Sequence, residues 1–410
     1  MNVLFLSELF YPHGGGAELA TYLYAKLLLK HDVNVKVVTN RFPGEIEKSL
    51  HENMEIYRLA LFKNATGIKY SLLRRIDMLF SRFMGRMIDW ADIVYIARFW
   101  YSLIPLAKAH KKPVVLHLHD YIPLCPLAVL YNLPKNEICC NHNNLVCSPK
   151  CILTYERSFA KSLKQALPSV LINSLIGNRT RKLVELADAI ICVSEAQKRL
   201  IDARAPLLGR RSYVIYNPLP EPPSRDVVRN DLGYFGGANV LKGFHVLLRA
   251  LKCVNEGICI ASAKVHATRF NRLSPRLVAF LSRFGIIPYG RLSRDDYCRI
   301  YRKIRTVVVP SIWPETWGYV ATEAILSKRL VVASRVGGLP EQLSGLEGAF
   351  LFEPRNTEQL ARHIQYIQGL PNEVKEDLGS RNKETFLDKF SNEKTSQRFL
   401  ELLIQETQQQ

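Results

Sequence analysis

Two doubly wound parallel α/β domains are the architecture that this sequence predicts, and three observations predict it. The chain has 410 residues, more than a single hydrophobic core ordinarily organises. Short apolar strands alternate with amphipathic helices, the order that builds a parallel sheet with helices on its faces. That alternation is interrupted once, at the proline-dense run Asn217-Pro218-Leu219-Pro220-Glu221-Pro222-Pro223, which continues neither a helix nor a central strand. A composition of 48% hydrophobic and 23% charged residues is that of a globular protein and excludes disorder.

The first half carries strands over residues 3–7, 33–39, 93–96, 114–117 and 189–193. The first strand runs into Gly14-Gly15-Gly16 and then a helix with Leu19, Leu23, Leu27 and Leu28 expected on its buried face. After the break come strands over residues 230–235, 307–310 and 331–334, with helices from about Gly243 and Gly318. The expected domains are 1–218 and 224–385, with residues 386–410, amphipathic over 386–404 and ending in a polar glutamine tail, crossing back onto the first. Residues 1–10 lack a basic start and a small-residue cleavage site, so they read as a strand rather than a signal peptide. With no apolar run long enough for a bilayer, the expected location is cytoplasmic.

The formal charge of +19 points to a polyanionic partner or phosphate-rich ligand. No helix-turn-helix, zinc-finger or RNP-type pattern is present, so nucleic acid is not the expected partner. Residues 63–86 read as a basic amphipathic helix, with Leu72, Ile76, Leu79, Phe80, Phe83 and Met87 at helical spacing and Lys69, Arg74, Arg75, Arg82 and Arg86 supplying charge. Such a helix either packs on the sheet with a basic outer face or lies on an anionic membrane.

The chemistry is concentrated in the second half. Glu315 and Glu323 are separated by seven residues in a run from Pro310 to Ala324. The first follows a strand and a turn, and the second lies in the helix that starts near Gly318. A helix start presents free amides and a positive dipole end, a seat for a diphosphate, and flanking carboxylates accept hydrogen bonds from hydroxyls. Paired carboxylates also serve glycoside hydrolysis, but the phosphate seat between them favours a nucleotide. Further back, Gly236, Gly237, Lys242 and Gly243 form a glycine turn that brings a lysine to a helix start, where it can meet phosphate as a point charge.

This block, with Gly337-Gly338-Leu339-Pro340-Glu341 after it, resembles the donor site of the glycosyltransferase family 4 proteins over nearly the whole chain. The resemblance implies the GT-B fold, two Rossmann-like parallel-sheet domains facing each other across a cleft. It implies retaining transfer of a sugar from a nucleotide-diphosphate donor to a glycan or lipid-linked acceptor, without an active-site metal or other cofactor. Glu323 is then expected at the ribose and Glu315 at the donor sugar. Lys242 and the amides of Trp317, Gly318, Tyr319 and Val320 are expected at phosphate. Relatives often carry an arginine where this chain has Tyr234, which leaves Lys242 as the main cation; Arg291 lies elsewhere in the pattern. From the first domain the resemblance brings Gly15 and Gly16 of the glycine loop and His119 and Asp120 at a strand end. His119 is expected at the sugar and Asp120 at the reacting centre, whereas His117 is expected to turn away. Asn217 is a turn residue or a ligand. No D-x-D sequence occurs, which disfavours a metal-bridged diphosphate. Lipid-linked acceptors add peripheral membrane contact on the inner face to the expectation.

Nine cysteines are present, five of them close together: Cys125, Cys139, Cys140, Cys147 and Cys151. Cys125, Cys139, Cys147 and Cys151 are a candidate structural zinc set, against reduced thiols or an occasional disulfide. Two other functions compete: a GT-B sugar-nucleotide epimerase, and a non-catalytic polyanion-binding protein.

Overall fold

The computed structural model describes residues 1–60, 78, 81–139, 149–158, 167–168, 170, 180–224, 231–254, 259–263 and 275–409. The chain forms two compact units, Met1–Pro218 with Asn392–Gln410, and Leu219–Ser391.

The first unit is built on strands β1 (Asn2–Ser7), β2 (Asn34–Asn40), β3 (Lys48–His51), β4 (Met54–Leu59), β5 (Ile93–Arg98) and β6 (Val114–Leu118). A small ribbon of β7 (Tyr131–Asn132) and β8 (Glu137–Ile138) precedes β9 (Ala189–Cys192) and β10 (Ser212–Val214). The main sheet runs β10-β9-β6-β5-β1-β2-β4-β3. All its pairings are parallel except β3 with β4. That edge hairpin was not expected: Glu52 and Asn53 both take positive φ, 47° and 66°, the geometry of a two-residue hairpin turn. Lys48–His51 is mostly exposed and carries no apolar alternation to announce a strand.

Both faces of the central strands are covered, which is why they read as continuous apolar runs. Leu4, Leu6, Val94, Ile96, Val114, Leu116, Ile190 and Cys192 enter one core. On the opposite face Phe5 packs on Tyr95, and Tyr24 and Tyr95 pack on Phe399 of the helix Asn392–Gln408. In the helix Gly16–Leu29 the fully buried stripe is Ala20, Tyr24, Ala25 and Leu28. Of the expected leucines Leu27 and Leu28 are buried, whereas Leu19 and Leu23 are only half-buried; the ring of Tyr24 meets Phe399 of the C-terminal helix.

The return to the first unit begins at Asn392 rather than at 386. Phe386 and Phe390 pack on each other, and Phe390 on Trp317, all within the second unit. That unit has strands β11 (Asp231–Tyr234), β12 (Cys259–Ala263), β13 (Ile286–Arg291), β14 (Ile304–Val309), β15 (Leu330–Ser334) and β16 (Ala349–Phe352). Their order is β13-β12-β11-β14-β15-β16, parallel throughout.

No helix among the described residues is long and apolar enough to cross a membrane. Most of the basic stretch, residues 63–77 and 79–80, lies outside the described residues. Its end forms the helix Arg82–Trp90, whose Met84 and Ile88 are core members with Phe83 and Met87 packed against them.

Candidate active site

Three neighbouring strands build the site of the second unit. β11, β14 and β15 are adjacent, so the loops leaving their C-terminal ends meet, at the edge where open α/β sheets bind ligands. After β11 the chain runs through Gly236 and Gly237 to Lys242 and the helix Phe244–Leu251. Gly243 caps that helix at φ 73°, and a Cβ on it would stand 1.7 Å from Pro310 O. Ile312 N donates to Leu241 O at 2.9 Å. The lysine loop is thus pinned by its backbone to the segment that carries Glu315. Gly243→Ala is expected to cost at least about 3 kcal/mol through clash and left-handed strain, and calorimetry should show Tm lowered by roughly 5–10 °C.

After β15 the Gly337-Gly338 pair does the same from the other side. Gly337 has φ 53°, and a Cβ there would lie 2.0 Å from Glu315 O. Gly338 N donates to Glu315 O at 2.7 Å. Glu315 is therefore held at its backbone by the glycine pair and at its side chain by three donors. Its buried Oε1 accepts from Lys242 Nζ at 2.6 Å, Ser311 Oγ at 2.6 Å and Trp313 Nε1 at 3.0 Å. Lys242 Nζ also lies 5.1 Å from the Trp313 ring centroid. The cation expected at phosphate and the carboxylate expected at sugar are thus an ion pair.

Glu323 projects from the helix Tyr319–Leu326, capped by Gly318. Amides in the first turn of a helix have no acceptor within it, so those of Tyr319 and Val320 stand at the anion-favouring end. Glu323 is buried, and its Oε2 accepts from Tyr297 OH at 2.9 Å. Tyr297 comes from the helix Arg294–Tyr301 and packs edge-on against Phe235. Trp317 is buried against Phe390, so its ring belongs to the core. Tyr234 is buried too, with its hydroxyl 2.8 Å from Gly237 O and 3.3 Å from Lys242 O. In place of a guanidinium, this chain has a brace inside the loop. Arg291 ends β13, which β12 separates from β11.

The first unit brings together the other two segments. Gly15 and Gly16 open the helix Gly16–Leu29, and Gly15 N donates to Glu18 Oε2 at 2.6 Å. His119 and Asp120 follow β6. His119 stacks on His117 with ring centroids 4.1 Å apart and 24° between planes. His117 therefore does not turn away: residues two apart on a strand share a face, and His117 is one layer deeper, bonded through Nδ1 to Tyr95 OH. Burial and the Arg98 charge push the His119 imidazole down to about 3. A neutral ring can exchange hydrogen bonds with a hydroxyl but is a weak proton acceptor near neutrality. Burial raises the Asp120 carboxyl, and Arg98 and the Ile122 amide oppose that rise. Gln197 locks this strand end, donating to Leu118 O at 3.0 Å and Asp120 O at 3.1 Å. Asn217 is buried, and its Oδ1 has no hydrogen-bond partner among the described residues.

Cys140 and Cys147 lie outside the described residues. Of the others, Cys125 and Cys151 are buried thiols and Cys139 is half-buried. Burial pushes the Cys125 thiol up to about 11, and Cys151 Sγ lies 3.8 Å from Tyr131 O. Among the described residues no group of three or more metal-binding side chains is assembled.

Comparison with known proteins gives this geometry a family. Residues 14–220 match Glycosyltransferase Family 4, and residues 229–368 match Glycosyl transferases group 1. An uncharacterised glycosyltransferase of Methanocaldococcus jannaschii is 27% identical over 403 residues, which are 96% of this chain and 95% of that protein. Among solved structures, sucrose-phosphate synthase from Thermosynechococcus elongatus shares the fold with a TM-score of 0.70 at 15% identity, covering 98% of each chain. The Anabaena protein HepE, solved in complex with UDP, superposes with a TM-score of 0.64 at 17% identity, covering 99% of this chain and all of that one. The chain is a glycosyltransferase of the GT-B type and belongs to Glycosyltransferase Family 4.

Proposed function

We propose that this enzyme moves a sugar from a nucleotide-diphosphate donor to a hydroxyl of a glycan or lipid-linked acceptor, with retention and without an active-site metal. The observation that carries the reading is the arrangement of Glu315, Lys242 and Glu323 around one helix start. Glu323 accepts from the ribose hydroxyls. The amides of Trp317, Gly318, Tyr319 and Val320 take the diphosphate. Lys242 offsets charge on the leaving group, the task a divalent cation performs in metal-dependent transferases. Glu315 orients the sugar, and within the first unit Gly15, Gly16, His119 and Asp120 form a second candidate group. The bond from C1 to the diphosphate oxygen breaks, the bond from C1 to the acceptor oxygen forms on the same face, and the departing phosphate takes the acceptor proton. His119, held neutral, positions a hydroxyl rather than removing its proton. The net charge of +19 favours an acceptor presented at an anionic membrane surface, with the enzyme on its cytoplasmic side.

A thermal-shift panel of UDP-, GDP- and ADP-sugars tests this. The true donor, at a hundredfold excess over its Kd, should stabilise the protein by about 2.7 kcal/mol. Uridine donors come first, since HepE is solved with UDP. Conversion of the stabilising donor to an isomer without any acceptor would make the enzyme an epimerase. No response to any nucleotide sugar, alongside binding to polyanions, would replace catalysis by polyanion binding.

A further inference from the structure

The sheet order of the first unit sets β5 between β1 and β6. The loops after β1 and β6 carry the glycine-rich segment and the His119-Asp120 pair, so whatever ends β5 stands between them. β5 ends in Arg98, and it does not end regularly. Leu6 pairs with Ile96 but Ser7 pairs with Arg98, leaving Ala97 as an extra residue. Bulges of this kind re-aim side chains at strand ends. Phe99 follows at φ 60°, a backbone region that aromatic residues rarely occupy, and its ring lies 4.3 Å from the guanidinium carbon.

The guanidinium so placed reaches two carboxylates from different segments. Nη1 donates to Glu18 Oε1 at 3.2 Å, and Nε lies 3.2 Å from Asp120 Oδ2. Each carboxylate is fixed again through its other oxygen: Glu18 Oε2 by Gly15 N at 2.6 Å, and Asp120 Oδ1 by Ile122 N at 3.0 Å. A continuous path of polar contacts therefore runs from the Gly15 amide through Glu18, Arg98 and Asp120 to the Ile122 amide. We propose that Arg98 is a positioning residue for the transfer, a cationic tie that holds the glycine-rich loop and the His119-Asp120 segment in fixed register. The proposal rests on the reading above for what the tie serves, and on the geometry alone for the tie itself. A planar fork of donors can hold two carboxylates at once, whereas an ammonium on a flexible stem is a point charge.

Arg98→Ala and Arg98→Lys test it, with turnover, nucleotide affinity, amide exchange over residues 14–18 and Tm measured together. In Arg98→Ala, kcat should fall by about a hundredfold, the cost of misplacing reacting groups by an ångström. Nucleotide diphosphate affinity should stay within about twofold, a split that marks loss of positioning rather than of binding. Exchange over residues 14–18 should quicken, and added guanidinium should restore part of kcat. Arg98→Lys should keep the fold and Tm but recover under about a tenth of kcat. The proposal is overturned if Arg98→Ala turns over like wild type, if Arg98→Lys recovers fully, or if kcat, nucleotide affinity and Tm fall together in Arg98→Lys. Should wild type neither bind nor turn over any nucleotide sugar, the functional reading fails separately. Exchange over residues 14–18 in Arg98→Lys then decides the tie: faster exchange supports it and unchanged exchange removes it.

Discussion

Glu323→Gln is expected to abolish the stabilisation of the protein by its nucleotide donor while leaving the unliganded fold intact. The side chain is buried, and one oxygen already accepts from Tyr297 OH. An amide oxygen of the same shape can keep that bond, so Tm without ligand should move little. The ribose diol loses more. Two hydroxyls donating to an ionised carboxylate make charge-assisted bonds worth about 1.5–3 kcal/mol each. An amide offers a neutral acceptor and an NH2 group that competes with the hydroxyl protons. A loss of about 3 kcal/mol is roughly a hundredfold in affinity, enough to erase the thermal shift at ordinary ligand concentrations. Calorimetric titration with the nucleoside diphosphate gives the number, and wild-type affinity in the variant would remove the ribose role of Glu323.

Glu315→Gln is expected to do the reverse: turnover falls by about a hundredfold or more, the scale seen when one fixed charge is removed from a reacting centre. Nucleotide affinity is held or gains. The reason is the competition built into the site. Lys242 Nζ is 2.6 Å from Glu315 Oε1, so a phosphate drawing on that ammonium shares it with a carboxylate. Ser311 and Trp313 remain as donors to the amide oxygen of glutamine, which limits collapse of the loop. Steady-state kinetics alongside calorimetric titration separates the two effects. A variant that loses nucleotide affinity but keeps kcat would assign Glu315 to the nucleotide rather than the sugar.

Much of this site was legible because glycine and acid punctuate the ends of strands that are themselves unmistakable. Leu232, Val307, Val308, Val331 and Val332 are buried, and their apolar runs locate β11, β14 and β15. The loops after them then need residues that let backbones touch, and Gly243 and Gly337 are such residues. Partnerships at long range were not legible. Tyr297 braces Glu323 from 26 residues away, in a helix that no motif covers. Arg98 has no sequence signature because its role depends on which strands β5 lies between and on a bulge at Ala97. Tyr234 was visible as a departure from the family pattern, but its use as a brace for Gly237 and Lys242 is a matter of packing. The edge strand β3 was missed for the opposite reason, since an exposed strand needs no apolar code. His117 stacks under His119 because residues two apart along a strand share a face.

The helix Asn392–Gln408 belongs to the first unit, yet it is synthesised after the whole of the second. Phe399 packs on Tyr24 and Tyr95, which in turn flank His117, the ring beneath His119. Vectorial synthesis therefore delivers the whole of the second unit before the layer behind the His119 strand is complete. A nascent chain halted anywhere before residue 399 therefore lacks the ring that packs behind Tyr24 and Tyr95.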